Sequence, residues 1–121
     1  MGIISKKYGR HTPAYLLLFL AEAPSYGALL LTRLRNELAH CSSDSASVYR
    51  SLQELEKNGL VETRWETQET GQPRKWYSIT SKGMLALHEQ AHDIGLHYKN
   101  FEFFLSHYKT LRAKNGNKSS L

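Results

Sequence analysis

The sequence predicts a mostly helical chain with one small β-hairpin, an α+β arrangement, and three observations carry that expectation. Between Asp44 and Gly59, the apolar residues Val48, Leu52 and Leu55 recur at helical spacing, with Tyr49 at their edge. Two segments follow at once, residues 60–65 and 75–80, both rich in β-branched and aromatic side chains. The polar stretch joining them holds Gly71 and Pro73, which reads as a hairpin with a long tip. Beyond it, apolar residues return at alternating spacings of three and four from Met84 to Tyr108.

Each element can be justified in chain order. Residues 1–11 form a basic arm through Lys6, Lys7 and Arg10. Thr12 and Pro13 are a helix start signal, the hydroxyl capping and the proline taking the first helical position. The helix after them is apolar on nearly every side from Tyr15 to Leu20, so it is expected to be buried as the central plank. Ala23, Pro24 and Ser25 break the chain. A second helix is expected over 27–39, with Leu30, Leu34 and Leu38 on one face and Arg33 and Glu37 on another.

The third helix starts at Asp44, an N-cap residue, and stops at Asn58 and Gly59. Its face away from the core is expected to carry Ser47, Arg50 and Ser51, with Glu54 further down and Lys57 at the flank. Hydroxyls and a guanidinium in that arrangement suit a major groove, where arginine pairs with guanine. A hairpin tip holding Arg74 and Lys75 suits phosphates or a narrow minor groove. Three helices and a hairpin in this order are the layout of a winged helix-turn-helix DNA reader, here over 12–80. An ordinary solvated helix face and a charged turn are the plain alternatives.

Thr80 and Ser81 are expected to cap a fourth helix reaching about Arg112. Its heptad places are filled by Met84, Leu87, Ala91, Ile94, Tyr98, Phe101, Leu105 and Tyr108. A helix of about thirty residues spans ~45 Å, longer than a small domain can cover, so the segment 81–112 is expected to dimerise. Residues 113–121 are polar and read as a frayed, flexible tail.

Composition narrows the function. A chain of 121 residues suits one core, and a net charge of +5 with a pI near 9.4 suits a polyanionic partner. The charge is uneven: residues 41–80 hold five basic and six acidic side chains, while 1–40 and 81–121 each carry +3. Contact with nucleic acid must then rest on a few placed cations, Arg50, Arg74 and Lys75, helped by the arm. The single cysteine, Cys41, excludes an intramolecular disulfide and fits a reducing compartment. No apolar run approaches a membrane span and no signal peptide is visible, so a cytoplasmic protein is expected.

At these residues the chain resembles the PadR family of bacterial transcriptional regulators. The resemblance runs from about 12 to 95 and is carried by the run 46–61, by Gly71-Gln72-Pro73-Arg74-Lys75, by the Thr80-to-Gly83 start of the last helix, and by Tyr26-Gly27. It implies a homodimeric winged-helix repressor whose last helix dimerises and whose third helix and wing meet double-stranded operator DNA. Release by a small aromatic ligand is also implied. The matching positions are Tyr49 in the recognition helix and Gly71, Pro73, Arg74 and Lys75 in the wing.

The chain departs from the family pattern in three respects. Gln53 and Glu54 stand where basic residues are common, and Gln72 where arginine is common. These changes remove positive charge and predict weaker, more salt-sensitive binding. Ala28 replaces an aromatic residue often found after Gly27. Ile94 stands where some relatives place a ligand-stacking tryptophan.

One motif points to another class. His88-Glu89-Gln90-Ala91-His92 is H-E-x-x-H, a zinc-hydrolase pattern with two histidines one turn apart. The third histidine, His97, falls one place early and about half a turn round from His88, and the heptad runs through the motif unbroken. No enzyme, cofactor or metal is therefore expected. The sequence-level expectation is a sequence-specific homodimeric repressor on a pseudo-palindromic operator, with an aromatic effector near Tyr15, Phe19 and Ile94. The alternative is a winged-helix interaction or sensor dimer without specific DNA binding.

Overall fold

The computed structural model describes residues 11–41, 43–67, 69 and 71–115. The basic arm over 1–10 and the tail over 116–121 lie outside the described residues. Seven elements follow in order: α1 (Thr12–Glu22), β1 (Ser25–Tyr26), α2 (Gly27–Glu37), α3 (Ser45–Lys57), β2 (Val61–Glu66), β3 (Arg74–Ile79) and α4 (Ser81–Asn115). The chain divides into two compact units between His88 and Glu89, within α4.

Helix α1 is the plank of the first unit. Leu16, Leu17, Phe19 and Leu20 are all buried, and Leu30, Leu34, Val48, Leu52 and Leu55 from α2 and α3 complete one cluster with Leu60, Val61 and Tyr77. Each fully buried leucine of this kind contributes about 1.5–3 kcal/mol relative to exposure.

The start of α1 differs from expectation. The helix begins at Thr12 itself with His11 in the cap position, and no side chain caps it. The Thr12 hydroxyl instead shares a 2.6 Å hydrogen bond with the Ser43 hydroxyl, tying α1 to the turn before α3. Helix α2 ends at Glu37, with Leu38 in the cap position rather than inside the helix.

Helix α3 is fixed at both ends by local chemistry. The Asp44 carboxylate accepts from the Ser47 amide at 2.8 Å, and Ser47 Oγ accepts from the Asp44 amide at 3.1 Å, a reciprocal capping box. At the other end Gly59 takes φ of +76°, its amide bonds Glu56 O and the Leu60 amide bonds Leu55 O, which turns the chain into β2.

The sheet has three strands, not the expected two. β3 is central, pairing with β2 from Val61↔Ile79 to Glu66↔Arg74, and with the two residues of β1 through Ser25↔Tyr77 and Tyr26↔Trp76. The ladder extends through Arg74, so Arg74 and Lys75 are strand residues and not part of the hairpin tip. Thr80 then starts α4: its Oγ1 donates to Gly59 O at 2.7 Å and accepts from the Gly83 amide at 3.0 Å. Helix α4 runs to Asn115, three residues past the expected end.

Candidate nucleic-acid interface

The side chains most relevant to a polyanion gather where α3 and the two long strands meet the start of α2. On α3, besides Ser45 at its start, the exposed positions are Ala46, Tyr49, Arg50, Gln53 and Lys57, the i, i+3, i+4, i+7 and i+11 series opposite the core. Arg50 therefore sits on the exposed face, as the sequence predicts. Ser47 does not: it is 1% exposed, because its hydroxyl both accepts from and donates to the Asp44 backbone. Ser51 is half-buried on the flank.

Tyr49 is 41% exposed and its ring lies against Gly27, the first residue of α2. From there a cleft of about 630 Å³ opens toward β2 and β3. It is lined by Tyr26 of β1, by Ala28, Tyr49 and Gln53 from the helices, and by Trp65 and residues 72–75 from the wing. Gly71, Gln72 and Pro73 are exposed beyond the strand ends, as expected of a tip.

The two wing cations are held in place by the domain. Alternation along β3 sends Arg74 and Trp76 to one side of the sheet and Lys75 and Tyr77 to the other. The Arg74 guanidinium lies 4.2 Å from the centre of the Tyr26 ring, and Tyr26 meets Trp76 edge-on at 5.2 Å. Trp76 Nε1 donates to Glu66 at 2.7 Å, which secures the end of the ladder. Lys75 Nζ is 3.3 Å from Glu56 and 5.4 Å from the ring of Tyr77. Burial pushes the Tyr77 phenol above its ordinary pKa, with the Lys75 charge opposing.

Three lining residues escaped sequence reasoning. Gln53, noted only as a lost cation, stands one turn after Tyr49 on the side facing the strands; Trp65 shares the Lys75 side of the sheet; Tyr26 carries Arg74. The first two were findable, by i+4 spacing and strand alternation, but Tyr26 needed the unforeseen strand β1.

The other predicted residues lie apart from this cleft. Phe19 is buried beneath the Arg33 guanidinium at 3.9 Å, Tyr15 is half-buried against the core, and Ile94 belongs to the second unit. Met84 and Leu87 are half-buried, and Leu87 packs on the core of the first unit. Farther along α4, Tyr98, Phe101 and Leu105 are 55–63% exposed and Tyr108 is half-buried. His88 and His92 are exposed, and His97 faces Asp93 at 3.5 Å. Among the described residues no group of three or more His, Cys, Asp or Glu is placed to hold a metal, and no helix is long and apolar enough to cross a membrane.

A capped third helix, a strand pair beside it and a long final helix define a winged helix-turn-helix protein. The chain belongs to the transcriptional regulator PadR-like family, whose model matches residues 16–89. Among solved structures it is similar to a transcriptional regulator from Clostridium thermocellum, at 25% identity and a TM-score of 0.70 over 84% of this chain and 97% of that one. A PadR family regulator from Clostridium difficile R20291 matches at 20% identity and a TM-score of 0.69, over 78% of this chain and 98% of that one. Bacillus subtilis PadR in complex with operator DNA matches at 23% identity and a TM-score of 0.62, over 68% of this chain and 47% of that one. A search of curated proteins finds no match.

Proposed function

We propose that this protein is a cytoplasmic, homodimeric repressor that binds a pseudo-palindromic operator in double-stranded DNA through α3 and the β2–β3 wing. The observation that carries the reading is the cleft itself. Tyr49, Arg50 and Gln53 stand exposed on one helix, and across the cleft stands a strand end bearing Arg74, with the exposed tip of Gly71, Gln72 and Pro73 beyond it. Arg50 reads a base edge, Tyr49 and Arg74 meet the backbone, and the tip fixes register through phosphates. That a family relative is known in complex with operator DNA supports the assignment. Two subunits joined along the α4 seam set two reading helices about 34 Å apart, one turn of the duplex.

Release would follow from a small aromatic ligand favouring a dimer whose reading helices no longer match the groove spacing. The acidic balance of residues 41–80 favours a second reading, an interaction or sensor dimer that kept the scaffold without specific DNA binding. No catalytic or metal-dependent step enters either reading.

Affinity for the DNA upstream of its own gene, measured against random duplex across a salt series, decides between them. A clear preference for the upstream duplex, falling steeply with salt, supports the repressor. Equal affinity for both duplexes supports the interaction dimer.

A further inference from the structure

Glu56 joins the reading helix to the wing. It closes the α3 stripe Tyr49, Gln53 and Glu56, which faces the strands at i, i+4 and i+7. One carboxylate oxygen accepts from the Thr63 hydroxyl on β2 at 3.0 Å, and the other meets Lys75 Nζ on β3 at 3.3 Å. A single carboxylate thus spans both strands of the wing. The pair is partly sheltered, with the Glu56 side chain 39% and that of Lys75 31% exposed. The Lys75 ammonium is also bounded by the Tyr77 and Trp65 rings, at 5.4 and 5.8 Å.

We propose that Glu56 is a positioning residue that fixes the wing against α3, and that Lys75 is its counter-ion rather than a phosphate contact. The proposal rests on the DNA-binding reading above and assigns the pair a different part in it from that of Arg74. Simple electrostatics gives the opposite sign. An acid beside a DNA-facing cleft repels phosphates, so its removal should strengthen binding, whereas removal of a strut weakens it. A lysine on a phosphate contributes about 0.9 to the slope of log affinity against log salt, and a strut lysine contributes none.

The test uses the full chain as wild type, E56Q, E56A, K75A and E56A/K75A, with upstream and random duplexes from about 50 to 200 mM salt. E56A and K75A are each expected to weaken specific binding about ten-fold, with the wild-type salt slope retained and no further loss in the double variant. E56Q keeps an acceptor for Thr63 and loses about three-fold. Tighter binding by E56A, a slope reduced by about one in K75A, or additive losses in the double variant overturn the proposal.

Thermal melts establish that each variant is folded at the binding temperature. Should E56A fail to fold, E56Q carries the same sign, and any strengthening by it sinks the strut. If wild type prefers no duplex, the DNA-binding reading falls, and amide hydrogen exchange in β2 and β3 of the free protein decides this proposal. Faster exchange in both E56Q and K75A supports it, and unchanged exchange overturns it.

Discussion

The ring of Tyr49 rests on the α-carbon of Gly27, so closely that a methyl group at Gly27 would overlap the ring and stand 2.7 Å from both Cζ and the phenol oxygen. The contact joins the start of α2 to the exposed face of α3. Because Tyr49 is 41% exposed, its ring can swing toward solvent when displaced. Gly27→Ala should therefore cost little stability, under about 1 kcal/mol, since alanine also gains roughly 0.5–1 kcal/mol over glycine in a helix. On the proposed DNA-binding reading the loss should appear in operator affinity, about ten-fold, as a ring assigned to the DNA backbone leaves its place. A melt lowered by much more than this, with affinity intact in the folded fraction, would show the contact to be packing alone.

Gly83 presents the contrary case. A Cβ there would overlap the Leu60 carbonyl and lie 2.7 Å from Ile79 Cγ1, and the carbonyl is backbone already accepting from the Thr80 amide. Neither neighbour can swing aside. Gly83→Ala should destabilise the fold by about 1–3 kcal/mol in denaturant unfolding, the range for overpacking a well-packed core. Gly95, in the same helix, has nothing within 4 Å, and Gly95→Ala should gain roughly 0.5–1 kcal/mol. Equal effects at the two positions would refute the steric account.

These contacts mark where sequence reasoning stops. The ends of α3 were legible because their chemistry is local: Asp44 reaches only to Ser47, and Gly59 supplies its own positive φ. The long helix α4 was legible for the same reason. Strand β1 was not, since Ser25 and Tyr26 show no alternation and pair only because β3 offers them a free edge fifty residues later. Ser47 was misplaced because helical phase alone ignored the claim of the Asp44 backbone on its hydroxyl. Lys75 looked like a free cation until the fold brought Glu56, nineteen residues away in sequence, to its side.

Capping by Asp44 carries a pH signature. The Ser47 backbone amide donates to the carboxylate and holds its pKa below the ordinary value of 3.8, outweighing the opposing effect of burial. A depressed folded-state pKa means that the stabilisation is present above 3.8 and is lost as pH falls through the lower folded value. Asp44→Ala should lower the melting temperature by about 5 °C at neutral pH, and the gap from wild type should narrow as the pH falls below 3.8. A gap unchanged at acid pH would mean that charge on Asp44 plays no part.

Arg50 and Arg74 should differ in what their loss does to sequence preference. Arg50 stands on the exposed face of α3, which the proposed reading turns toward base edges, and Arg74 is set on Tyr26 at the strand end. Arg50→Ala should cost about 1–3 kcal/mol on the operator and relax preference at one base pair in each half-site. Arg74→Ala should weaken operator and random duplex alike and reduce the salt slope by about one. Binding to a panel of single-base operator variants checks both. Equal loss of specific and non-specific affinity in Arg50→Ala would remove Arg50 from base reading.

The last helix should decide the assembly. Phe101 and Leu105 are 63% and 55% exposed in the single chain, at successive d and a places of the heptad that starts at Met84. Large apolar side chains left in water at core heptad places are stabilised by a second helix, at roughly 1.5–3 kcal/mol for each one buried. A twofold pair repeats each contact, so Phe101→Glu would put an unpartnered carboxylate into the apolar seam twice over and should split the proposed dimer. Sedimentation at micromolar concentration should then give the mass of one subunit, with the melt of the first unit little changed. Phe103 lies off the seam and is equally exposed, at 64%, so Phe103→Glu should leave the dimer mass intact. If both variants dissociate equally, the contact is not the heptad seam. If neither does, the twofold spacing of the reading helices must come from other surfaces.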